Sequence, residues 1–342
     1  MSLFSISLQQ TQPILTDGRL RSKSWSAIWK RRFAALCAAG AWFAVAGITM
    51  VWPDLGEWGR GYELALGSAG IGTLFTLAAI ISGRLEHLAR PIYAYAPWGI
   101  ATGIFVAVWQ ALTAKTAILP MPFFPPPHAI LEVFTDDWGK LFESVVASLR
   151  LLSLGVFTGS LVGFITGVSI GWSRAIGYWV HPVMRLIGPL PSIAWLPIAF
   201  FVFPSSWSAS IFLIALAVGF PMAVLTWSGV ANVNPAYYDV ARTLGANSRF
   251  LILKVAIPAA LPQVFVGAFM GLGASFAVLV TAEMMGVKAG LGFYLQWAQG
   301  WAAYANMYAA LLVMSLMCSG LITALFKLRD YMLAYQNGAL KW

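Results

Sequence analysis

Charge is what this sequence has least of. Aspartate, glutamate, lysine and arginine make up 10% of its 342 residues, against about 25% in a soluble domain. Cysteine is scarce too. Cys37 and Cys318 lie in apolar runs at opposite ends of the chain, with no disulfide framework and no C-x2-C metal spacing. No G-x4-G-K-[ST] phosphate loop occurs, since Gly139-Lys140 is followed by Leu141 and lacks the upstream glycine. ATP binding by this chain is therefore excluded, and no metal site is expected. No Ser–His–Asp set and no His/Glu pair at metal spacing offers catalysis. His87 and His128 fall in loops and His181 beside a kink.

What is abundant is apolar surface. Hydrophobic residues reach 60% and the mean hydropathy is +0.77, a composition that water solvates badly and a bilayer solvates well. The net charge of +9 would suit nucleic acid if it formed a basic face on a polar domain. Instead Arg19, Arg21, Lys23, Lys30, Arg31 and Arg32 precede the first apolar run, and Arg84, Arg90, Arg174, Arg242, Arg249, Lys254, Lys327, Arg329 and Lys341 sit at span ends and short loops. That is the positive-inside pattern of a membrane protein, and it argues against nucleic acid as a partner.

The fold class expected is all-α, with eight spans over residues 33–52, 62–82, 98–119, 145–172, 181–203, 209–227, 258–281 and 307–326, each long enough to cross a bilayer. Both termini then lie on the cytoplasmic side. Arg60, Lys115, Lys140 and Lys288 fall outside, as do most acidic residues, Glu283 among them; Arg150 and Arg185 lie in or near the membrane. The organisation expected is a basic cytoplasmic segment at 1–32, a two-helix hairpin at 33–96, a core at 97–330 and a cytoplasmic tail at 331–342. Residues 119–127 carry too many prolines for a helix and read as an extended surface segment.

Two features inside the spans concern packing. Gly155, Gly159, Gly163, Gly167 and Gly171 recur every fourth residue, which at 3.6 residues per turn makes a smooth stripe on one helix face. Small residues let helix backbones approach closely where lipid gives no hydrophobic drive for pairing. The fifth span contains Pro189, Pro191 and Pro197. It should be kinked or broken, which is tolerated in a membrane only against protein or a cavity.

The longest cytoplasmic loop, residues 229–257, carries the strongest local pattern. Asn234-Pro235 reads as a helix start and Gly245 as its stop, giving a helix–turn–helix elbow with Ala241, Gly245 and Ala246 at the bend. The loop resembles the cytoplasmic signature of binding-protein-dependent ABC importer permeases, E-A-A-x3-G-x9-I-x-L-P. The matches are Asp239-Val240-Ala241, Gly245, Val255, Ile257 and Pro258, with Asp for Glu and Val for Ala at the first two places. Ala147-Ser148-Leu149-Arg150, Pro189 to Pro197 and Thr281-Ala282-Glu283-Met284 are similar to the permeases for nitrate, taurine, alkanesulfonates and related small anions, a resemblance covering about residues 97–330.

The resemblance implies a six-helix importer core with an extra N-terminal hairpin, in a bacterial inner membrane. It implies a coupling helix formed by Tyr238, Asp239, Val240, Ala241, Arg242, Leu244, Gly245 and Ala246, which docks on a separate ATPase. The chain itself would hold no cofactor, ATP and Mg being bound by that partner. The implied partners are two ATP-binding subunits, a periplasmic substrate-binding protein and a second copy of this chain in a homodimer. The binding protein would dock on segments 119–127 and 293–304, and a small anion would cross by alternating access. A secondary carrier or channel is the competing reading. Ion-coupled carriers generally place ionisable residues at midplane, and spans three to eight carry none at their centres.

Overall fold

The structure is a computed structural model that describes residues 18–56, 59–81 and 86–334. The expected tail and the first 17 residues lie largely outside them. The described residues are helical, with no strand among them. Among the described residues seven helices are long and apolar enough to cross a membrane, and a bent pair makes an eighth if counted as one span. The chain divides into two compact units, Met1–Glu132 and Val133–Trp342.

The first unit contains α1 (Gly18–Val51), α2 (Gly61–Ile80) and α3 (Glu86–Gln110). Residues 18–32, expected as a polar leader to the first span, are the start of α1. The helices approach through small residues. A methyl added at Gly99 would meet the Phe75 ring at 2.6 Å, and one at Gly103 would meet Ala41 at 2.9 Å. Tyr93 donates to the Ala78 carbonyl at 2.6 Å, and Trp42 Nε1 to Gly99 at 3.0 Å. Helix α3 packs on α1 in this way and lies within the first compact unit, which ends at Glu132.

At one end of this unit the ammonium of Lys115, fully buried, pairs with Asp54 at 2.8 Å and donates to the carbonyls of Thr49 and Trp52. Nearby, Gln110 Nε2 and His128 Nδ1 lie 3.0 Å apart. The proline segment 119–127 is not extended: it turns through residues 121–124 and enters α4 (Pro127–Asp136), with a cis peptide at Met121-Pro122. Proline at the first helical position leaves no amide unsatisfied there, so a proline run can open a helix.

The second unit is built on α5 (Trp138–Trp172), α8 (Ser206–Ala231), α11 (Ile257–Met285) and α13 (Tyr304–Met332). Its core joins Leu151 and Leu152 of α5 to Leu213 and Ile214 of α8 and Leu272 and Leu279 of α11. The fifth span is a broken pair. Helix α6 (Arg174–Ile187) and the stretch Ser192–Val202, a 3-10 turn followed by α7 (Leu196–Val202), meet at 89°. The break falls at 188–191. Pro189 and Pro191 lie in it, whereas Pro197 opens α7 rather than kinking a helix.

Candidate functional site

The elbow connects α8 to α11 and is held by its own local chemistry. Helix α9 (Pro235–Thr243) begins with the Asn234 side chain accepting from the Ala236 amide at 3.0 Å, followed by proline at the first helical position. It ends in a left-handed glycine closure. Gly245 has φ +84°, its amide donates to Arg242 at 2.9 Å, and the Ala246 amide donates to Ala241 at 3.0 Å. Asn247 then caps α10 (Ser248–Phe250), accepting from the Phe250 amide at 2.9 Å. A π turn, Leu251–Ala256, runs without a break into α11.

The two faces of α9 differ. Tyr238 packs against Trp172 (ring centroids 6.0 Å apart) and the cluster of Val230, Ala256 and Ala260, fixing the elbow to the ends of α5, α8 and α11. Burial raises the pKa of its phenol. On the other side Tyr237, Val240 and Leu244 are exposed, Leu244 to 83%. Their spacing places them on one stripe. Asp239 and Arg242 flank it as an exposed pair at 3.8 Å, a geometry that contributes little by itself. This apolar stripe is kept out of the protein's own core and is free to meet another surface.

At the far end of α11 a second constellation appears. Glu283, expected outside the span, is 1% exposed in the last turn of α11. Ser148 of α5 donates to its Oε1 at 2.7 Å, and the Gly292 amide donates to Oε2 at 2.7 Å. The Ser148 hydroxyl in turn accepts from the Leu291 amide at 2.8 Å. The carboxylate therefore caps the start of α12 (Leu291–Gly300), a short helix. Gly290, with φ +111°, has no room for a side chain: a methyl there would lie 2.6 Å from Glu283 Oε2. Beside it Asn306 donates to Tyr294 at 2.6 Å and to Asp137 at 3.0 Å, so α12 is tied to α5 and α13. Two stretches quoted for the family resemblance, around Ser148 and Glu283, thus meet in one hydrogen-bond network. The glycines at 290 and 292, seven and nine residues after a carboxylate, were the available signal.

The glycine stripe lies against α8. Methyls at Gly159, Gly163, Gly167 and Gly171 would stand 2.6–2.8 Å from Ala215 Cα, Met222 Cβ, Thr226 Cβ and Val230 Cβ, and one at Gly155 would stand 2.6 Å from Ile214 Cβ. The stripe and the elbow are not in one site. The stripe holds α5 to α8, and the elbow hangs from α8 and α11.

With this geometry in hand, comparison with known proteins is decisive. Residues 159–333 match the family of binding-protein-dependent transport system inner membrane components. The chain belongs to this family. The permease is 28% identical over 222 residues to the nitrate import permease protein NrtB of Synechococcus elongatus, covering 61% of this chain and 77% of that one. It is 30% identical over 220 residues to the taurine transport system permease protein TauC of Escherichia coli, covering 62% and 80%. It is 28% identical over 228 residues to the bicarbonate transport system permease protein CmpB of the same Synechococcus, covering 64% and 80%. In fold, a chain of the inward-facing MetNI methionine ABC transporter superposes with a TM-score of 0.50 at 16% identity, covering 57% of the permease and 96% of that chain.

Proposed function

We propose that this permease forms the membrane path of an ATP-driven importer for a small anion, energised through α9 by separate ATP-binding subunits. The observation that carries the reading is the exposed stripe Tyr237, Val240 and Leu244 on a helix capped at both ends and continuous, through α11, with the core. A surface that receives force needs both properties: apolar area to bind, and a fixed connection behind it. Relatives named for nitrate, taurine, bicarbonate and aliphatic sulfonates support the anion class.

On this reading the residues from Tyr238 to Ala246 form the coupling element, with ATP and Mg held by the partner. One elbow per chain, meeting two ATPases, calls for a homodimer of permeases. The elbow and both termini face the cytoplasm, following the basic residues. A periplasmic binding protein delivers the solute at the α12 end, where residues 293–304 lie. The transporter then exposes a central cavity alternately to either side.

Leu244→Asp tests the reading. Leu244 touches little of its own chain, so the variant should insert and fold normally yet lose co-purification of the ATPase and solute-stimulated ATP hydrolysis. Gly245→Asp should do the same for a second reason, since a side chain strains at φ +84°. Normal pull-down and normal hydrolysis in both variants would remove α9 from the ATPase interface.

A further inference from the structure

Among the described residues no counter-ion meets Arg185, which lies in the broken span. It lies on α6, and its depth can be read from the register against α8. The His181 ring meets Trp227 edge to face with centroids 4.4 Å apart, and Gly188 abuts the Phe220 ring. Trp227 and Phe220 stand four and eleven residues from Ala231, where α8 ends, or about 6 and 16 Å along the helix. Arg185, between His181 and Gly188, therefore sits about 10 Å inside the elbow end of the bundle.

The acidic residues of this unit are Asp136, Asp137, Glu143, Asp239, Glu283 and Asp330. Asp239 and Asp330 pair with Arg242 and Arg329, Asp137 with Lys140, and Glu283 with Ser148 and Gly292. None pairs with Arg185 among the described residues.

Arg185 opens instead into a cleft of 760 Å³ with Tyr178, His181, Phe220 and Trp227 on its walls. Phe220 also lines two further clefts, of 540 and 350 Å³, that follow α6 and α8 and reach the break at Pro191. Those two are lined almost wholly by apolar residues and glycine, so Arg185 is the charged group facing this set of clefts. An unpaired arginine at membrane depth marks water or a solute path, and its planar fork matches a planar oxyanion through paired hydrogen bonds.

We infer that Arg185, with His181 one turn away, is a stepping site for a small oxyanion on the solute path, near its elbow end. The inference rests on the importer reading for the class of solute. A single cation suits a step rather than a trap, because a conducted ion must be held strongly enough to enter and weakly enough to leave.

Met184 lines the same cleft and its 540 Å³ neighbour, so Met184→Cys reports on both. The test uses the full-length chain in its own membranes, with Cys37→Ser and Cys318→Ser. Reaction rates are measured with an anionic and a cationic thiosulfonate of similar size, each normalised to a free thiol. The anionic reagent should be favoured by about tenfold with Arg185 present, near parity with Arg185→Gln, and about tenfold again with Arg185→Lys. Nitrate at tens of millimolar should slow the anionic reagent in the arginine form alone. No reaction with either reagent would mean a dry face against lipid or another chain. A ratio near parity that nitrate does not change would mean that a lipid phosphate already holds Arg185. Either result, or a ratio indifferent to Arg185→Gln, overturns the inference. The readout needs neither ATPase nor binding protein, so it can fail while the Leu244 experiment succeeds, and the reverse.

Discussion

Replacing Gly163 by alanine should damage this protein, although alanine is the better helix former. A methyl at Gly163 would stand 2.8 Å from Met222 Cβ and 3.0 Å from Gly219 Cα. Carbon contacts are comfortable at about 3.5–4.0 Å, so α5 and α8 must part by about 0.5–1 Å. Overpacking of this kind costs about 1–3 kcal/mol, and the propensity gain of alanine over glycine returns about 1 kcal/mol. The net expectation is a loss of about 1 kcal/mol. Gly320 in α13 is the control, since a methyl there meets nothing within 4 Å. Gly320→Ala should keep the whole propensity gain. The same chemical change should therefore shift stability in opposite directions at the two sites, by a difference of about 2 kcal/mol. Unfolding titrations with sodium dodecyl sulfate in mixed micelles measure that difference. Gly159→Ala combined with Gly163→Ala should cost less than the sum, because one separation of the helices relieves both contacts. Equal shifts at Gly163 and Gly320 would refute the close approach of the two backbones.

Glu283→Ala should leave the Gly292 amide and the Ser148 hydroxyl without an acceptor, at about 1–3 kcal/mol each. Glu283→Gln, with one acceptor oxygen, should fall between it and the native chain. Hydrogen exchange at Gly292 with the same titration checks the order, and a glutamine variant as stable as the parent would sink the account. In the first unit, burial pushes the pKa of His128 below the ordinary histidine value, with Asp54 opposing and Lys115 adding. The unfolded chain then binds the proton more readily than the folded one. Stability should therefore fall as pH drops below about 6.5, with a shallower dependence in His128→Gln. Thermal unfolding at pH 7.5 and 5.5 decides it, and identical pH dependence in the two proteins would count against the buried neutral ring.

The spans were legible because about 20 apolar residues have few other uses, and the elbow because Asn234-Pro235 and Gly245 are chemically specific start and stop signals. The α4 and α12 helices were not, since ten residues, in α4 behind a proline run and in α12 rich in aromatics, carry too few turns to show a period. Glu283 misled for a different reason. A carboxylate at the end of an apolar run marks the water boundary unless donors come back to meet it, and here they are the Ser148 hydroxyl of α5 and the Gly292 amide beyond a turn. The assignment of α3 to the first unit rests on Gly99 and Gly103 facing α1 and α2, a tertiary fact that hydropathy does not contain.

The uninterrupted helix from Ser248 to Met285 is 38 residues, about 57 Å long. It carries the elbow at one end and the Glu283 network at the other. Near its middle, Gly267 and Gly271 rest on the backbone of Pro221, Met222 and Val218 in α8. It is thus a lever with a fulcrum. Tilting it by about 5° moves each tip by about 2.5 Å, in opposite directions. Were it to tilt as one body about that contact, a displacement of the elbow would reach the turn before α12 with no residue-to-residue relay.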